Sequence, residues 1–227
     1  MKLNNILLTL FIISITVIVF NAWFISPIIT AGDSWYYYSS MFDNHFIRPY
    51  AWYTYSISTG LGGQGFAFVT TFTMVAVILE IAKILNVSWE TISRFTLYIP
   101  FIILSLTSSI FLIKKLFPKN PLWFIAPIIF TFNTYILMVV GGGQLPTAIS
   151  YSLIPFSLFL FIKLLEVGIG IKKKYTALII SSALVFSLQC ILDLRIAFVT
   201  AILIGIYLLV LLIIKELKIK NLLFLFL

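Results

Sequence analysis

Seven apolar runs, at 5–25, 66–85, 95–113, 122–140, 147–165, 176–192 and 196–214, constrain this chain more than any other feature. A helix needs roughly 20 apolar residues to cross the hydrocarbon of a bilayer. These runs are close to that length, and few charges interrupt them. Lipid is then the solvent for most of the surface. Composition agrees, since 62% of the 227 residues are hydrophobic, only 10% are charged, and mean hydropathy is +1.14. A soluble domain has roughly 45–50% apolar and about 25% charged residues, and a core of this size cannot hide the difference. The expected fold is all-α, a polytopic transmembrane helical bundle forming one module over 1–227.

The first run closes on "FNAWF", which offers no small-residue cleavage site. It reads as an uncleaved signal-anchor. The last residues, "NLLFLFL", open another apolar run and stop after seven, so the chain is expected to be truncated. Turn chemistry separates the runs: "STGLGGQG", "NVSWETIS", "KKLFPKN", "GGGQLP" and "EVGIGIKKK". One connection is long, 26–64, and it is dense in tyrosine and tryptophan. Aromatic rings settle at headgroup depth, so this loop is expected to hold one or two interfacial helices.

The net charge of +8 raises the question of nucleic acid. The lysines fall in short clusters at the ends of apolar runs, the pattern of cytoplasmic loops, so no nucleic-acid partner is expected. Clusters Lys114/Lys115/Lys119, Lys172–Lys174 and Lys215/Lys218/Lys220 are separated by pairs of runs and should share one side. Lys2 places the N-terminus on that side as well, which puts 26–64 outside. Two full crossings at 66–85 and 95–113 would then carry Lys114 outside too. Both statements cannot hold. The run 66–85 contains Glu80 and Lys83 and follows glycines, and it is the one expected to be re-entrant or interfacial rather than a full span.

Few motifs carry chemistry. "GLGGQG" matches G-x-G-x-x-G at Gly60, Gly62 and Gly65 but lacks the soluble βαβ context that gives the motif its meaning. "GGGQLPT" lacks the Lys-Ser/Thr of a phosphate loop and reads as a turn between spans, with Gln144 a donor at the membrane surface. One histidine and one cysteine, Cys190, leave no basis for a histidine metal site, a CxxC motif or an internal disulfide. No metal and no cofactor are expected.

The acids remain. Glu90, Glu166 and Glu216 sit in short polar connections beside cations. Asp33 and Asp43 share the aromatic loop with His45, Arg48 and Trp52. Asp33 suits a helix N-cap before "SWYYYSS" and equally a catalytic acid/base. Asp193 and Arg195 lie between two apolar runs with almost no loop around them. They read either as a tight turn whose charges neutralise each other or as an arginine placed to bind an anionic group such as a lipid-linked phosphate.

A signal-anchor, then "ITAGDSW", then "YAWYTYSISTGLGGQGFAF", then "FTFNTYILMVVGGGQLPTAISYSLIPFSLFLFIKLLE": this order resembles the N-terminal module of GT-C membrane glycosyltransferases, closest to the arabinofuranosyltransferase-like and YfhO-like branch. The matching positions are Gly32-Asp33, Trp52 with Gly60, and Tyr151-Ser152-Leu153-Ile154-Pro155. The resemblance implies a multi-pass protein of the cell membrane with its active site on the extracytoplasmic face. It implies a polyprenyl-phosphate sugar donor, a glycan or glycoprotein acceptor, and inverting transfer with Asp33 as general base. His45, Asp43, Arg48, Trp52, Gln144, Asp193 and Arg195 would bind substrate, the arginines at the donor phosphate. The paired-acid form of the motif is absent, since Asp43 lies ten residues from Asp33. Two readings of other classes stand beside it: a transporter or flippase-like protein, which broken helices and repeats would mark, and a non-catalytic membrane scaffold.

Overall fold

The computed structural model describes residues 2–25, 52–53, 63–64, 77–78, 80–167 and 172–214. They are helical apart from connecting turns and one antiparallel two-residue ladder, in which β1 (Trp52–Tyr53) pairs with β2 (Gly63–Gln64). Helix α1 is Lys2–Ile25. Helix α2 runs from Trp89–Ser93 through a π-helical turn at Arg94–Tyr98 into Ile99–Leu116. Then come α3 (Ile125–Phe132), α4 (Thr134–Gly141), α5 (Leu145–Ser152), α6 (Ile154–Val167), α7 (Lys172–Leu192) and α8 (Leu194–Ile213).

Five helical segments are long and apolar enough to cross a membrane: Ile6–Ile25, Glu90–Leu116, Leu145–Val167, Tyr175–Leu192 and Leu194–Ile213. The expected span at 122–140 is shorter and divided, because α3 and α4 meet at Asn133 rather than forming one helix. Asn133 is extended, and its side-chain oxygen accepts from the Ile136 amide at 3.0 Å, capping α4. A second break falls at Leu153, between α5 and α6. Pro155 has no N–H to give the carbonyl one turn back and crowds it, so a straight helix cannot pass through.

Transfer from lipid to a core of the same polarity gains little, so close packing and polar ties have to hold such helices together. Both are present. Phe20, Leu97, Phe101, Ile136, Val140, Leu145 and Ala148 are buried in one cluster contributed by α1, α2, α4 and α5. On α2, Ser105, Ser108 and Ser109 are buried, and small side chains allow close backbone approach. The Ser108 hydroxyl donates to the Ser152 carbonyl at 2.7 Å, tying α2 to the α5–α6 break.

Helices α1 and α2 run in opposite directions. Phe20 meets Phe101 at 6.1 Å between ring centroids and Trp23 meets Tyr98 at 5.3 Å, while Arg94 Nε donates to the Trp23 carbonyl at 3.1 Å. The chain therefore leaves α1 and enters α2 at the same end of the bundle. At the other end, Lys115 near the close of α2 pairs with Glu166 near the close of α6 at 2.5 Å. Lys114 there lies over the Trp123 ring, 4.2 Å from its centroid. Helix α7 begins at Lys172, five residues after α6 ends, so this is a basic end shared by two of the lysine clusters.

Candidate functional site

Asp33, Asp43, His45 and Arg48 lie outside the described residues, as do the interfacial helices expected in 26–64. Of the other expected site residues, Trp52 sits opposite Gln64 in the β1–β2 ladder. Gln144, Asp193 and Arg195 all lie at the end opposite the basic one, where α4 turns into α5 and α7 turns into α8.

The α7–α8 turn is a single residue. Asp193 is extended, with φ −160° and ψ 108°, and it caps α8 by accepting from the Arg195 amide at 2.9 Å. The same carboxylate accepts from Arg195 Nε at 3.1 Å and Nη2 at 2.7 Å, a forked ion pair. A hydroxyl from α5 completes the shell, with Thr147 Oγ1 donating to the other carboxylate oxygen at 2.5 Å. Asp193 is buried while the Arg195 side chain is 75% exposed. Burial by itself would raise the Asp193 pKa. The Arg195 and Thr147 hydrogen bonds and the nearby guanidinium charge outweigh it and hold the carboxyl below its ordinary value. Geometry thus gives form to the turn-charge alternative. Arg195 Nη1 nevertheless makes no hydrogen bond among the described residues, on a side chain that is largely exposed.

One helical turn below Asp193 lies a residue that sequence reasoning missed. Gln189 is fully buried, and every polar atom of its amide is used. Nε2 donates to the Ser150 carbonyl at 3.0 Å and to Thr200 Oγ1 at 3.1 Å, and Oε1 accepts from Ser157 at 2.7 Å. Its backbone carbonyl accepts from Ser150 Oγ at 3.2 Å. One side chain therefore joins α5, α6, α7 and α8. The Gln189–Thr200 bond, between residues 11 apart, also shows that α7 and α8 fold back on each other as a hairpin. A signal existed: Gln189 is the lone side-chain amide in α7, and polar groups at membrane depth have partners.

Gln144 precedes α5 and lines an open pocket of about 230 Å³ with Tyr135, Met138, Val139 and Gly142. The turn that presents it needs glycine at Gly143, where φ is 81°. The ring of Tyr135 lies 6.2 Å from that of Tyr151, whose Oη accepts from Asn133 Nδ2 at 3.0 Å and whose ring stacks on Phe130 at 4.3 Å. Tyr151 and Leu153 of the Tyr-Ser-Leu-Ile-Pro stretch thus serve the two helix breaks. Among the described residues no group of three or more His, Cys, Asp or Glu is placed to hold a metal ion. No family model, curated protein or solved structure matches this chain.

Proposed function

We propose that this chain is a module of an integral membrane glycosyltransferase of the GT-C kind, moving a sugar from a polyprenyl-phosphate donor to an acceptor on the extracytoplasmic side. One observation carries the reading. The chain leaves α1 and enters α2 at the end opposite the lysine-bearing one, and the positive-inside tendency makes the lysine end cytoplasmic. Loop 26–64, with Asp33, then faces outward, where a flipped lipid-linked sugar presents itself.

In that reading the acceptor hydroxyl oxygen attacks the anomeric carbon as the bond to the lipid phosphate breaks, and Asp33 takes the hydroxyl proton. Arg48 and the exposed guanidinium of Arg195 would meet the charge growing on the departing phosphate. Asp193 has a different part, holding Arg195 in place rather than touching substrate. Replacing Asp33 with asparagine in the full-length enzyme should abolish transfer while expression and membrane insertion stay intact. Transfer near the wild-type rate would remove Asp33 from the mechanism.

The breaks at Asn133 and Leu153 favour a second reading, because discontinuous helices also build the midplane sites of carriers. Here the side chains at and beside these breaks bond to one another, through Asn133–Tyr151 and Ser157–Gln189–Thr200. Movement of a lipid-linked sugar across liposomes by the Asp33→Asn protein would favour the carrier reading over the enzyme.

A further inference from the structure

The seam between α2 and α6 at the basic end carries a cation that no carboxylate pairs among the described residues. Lys163 lies on α6 within the apolar segment Leu145–Val167, about one turn from its end. Its ammonium sits 4.6 Å from the centroid of the Phe159 ring, and among the described residues no carboxylate pairs with it. The neighbouring acid, Glu166, is taken by Lys115. Lys115, Lys163 and Glu166 together therefore carry one net positive charge.

Below the corner the seam is aromatic. Phe111 of α2 stacks against Phe159 at 5.7 Å and approaches Phe156 at 6.3 Å, and Phe111 is 49% exposed on the outer surface. A cation kept at the edge of the hydrocarbon, above a partly open apolar track, matches an amphiphile with a negative head and a greasy tail. We propose that this seam is a binding site for an anionic phospholipid of the lysine-bearing leaflet, its phosphodiester at Lys163 beside the Lys115–Glu166 pair and one acyl chain along Phe111, Phe156 and Phe159. The long lysine stem lets the ammonium rise to headgroup level while its methylenes remain on the ring. An anionic headgroup adds favourable energy for each nearby lysine, whereas a zwitterionic one brings its own ammonium into the same corner. The site stands apart from the glycosyltransferase reading and requires only that the bundle be embedded in lipid.

Native mass spectrometry of the full chain, released from mixed micelles of phosphatidylglycerol and phosphatidylcholine, tests it. The wild type should retain phosphatidylglycerol in preference, and Lys163→Ala should lower that retention about fivefold. Lys163→Arg should restore it, and Lys119→Ala, which removes an exposed lysine off the seam, should leave it unchanged. Lys163→Gln keeps the stem over Phe159 and serves if the alanine variant fails to fold. No lipid preference in the wild type, or equal losses from Lys163→Ala and Lys119→Ala, would overturn the proposal. So would a dimer that Lys163→Gln dissolves without any lipid preference, since that assigns the seam to a second copy of the chain.

Discussion

Asp193 shows how one side chain can join two long apolar helices through a single-residue turn. Its carboxylate takes the α8 amide, the Arg195 fork and the Thr147 hydroxyl, so truncation leaves three groups without their acceptor. Asp193→Ala should lower stability by about 1–3 kcal/mol, seen as a lower unfolding midpoint by size-exclusion chromatography of heated samples. Acid should act at the same atom. The folded-state pKa lies below the ordinary 3.8, so the stabilisation from the charged form is present above about pH 4 and is lost as pH falls through the lower folded value. Asp193→Asn keeps an oxygen for the cap and cannot titrate. Between pH 6 and pH 3 the wild-type midpoint should therefore fall further than that of Asp193→Asn. Parallel falls would assign the acid sensitivity to other carboxyls.

At the scale of the element, the two broken helices and the α7–α8 hairpin depend on polar groups that hydropathy does not see. A run such as 122–140 averages its residues, and Asn133 disappears into the mean. Its capping preference shows only when the asparagine is read by itself, followed by Thr134 and a new apolar stretch. Pro155 was visible in the same way, as a residue that stops the hydrogen-bond ladder behind it. Gln189 was harder, because its four-helix role depends on Ser150, Ser157 and Thr200, which are far apart in sequence and hydroxyl-bearing like many others. Replacing Gln189 with leucine keeps the bulk, leaves the Ser157 hydroxyl without its acceptor and removes the side-chain ties to the Ser150 carbonyl and Thr200. A loss of about 1–2 kcal/mol is expected, given how weak single polar ties in membrane bundles are. The sharper readout is a cysteine pair across α6 and α7, whose crosslinking rate should change in Gln189→Leu. An unchanged rate and midpoint would reduce Gln189 to a packed side chain without a tying role.

For the whole molecule, charge placement in the sequence posed the topological problem and packing answers it. Lysine clusters alone required an even number of crossings between Ile25 and α2, while apolar length alone suggested one. Hydropathy could not choose, because it measures transfer from water and not direction. The choice comes from contacts of residues far apart in sequence: Phe20 with Phe101, Trp23 with Tyr98, and the Trp23 carbonyl with Arg94. They set α1 antiparallel to α2, so 26–88 begins and ends at one end of the bundle. The helical class and the five helices long and apolar enough to cross a membrane were legible from apolar length, since that property is written into every residue of a run. The polar cluster at the α7–α8 turn was legible in part, through the charges of Asp193 and Arg195 but not through Thr147 or Gln189.

The direct test is sidedness, read with two single cysteines on a Cys190→Ser background, Ser39→Cys in the long loop and Lys119→Cys at the basic end. A membrane-impermeant maleimide should label Ser39→Cys in intact cells and Lys119→Cys only after the cells are opened. Labelling of both positions from the same side would contradict the antiparallel α1–α2 arrangement and, with it, the outward placement of Asp33.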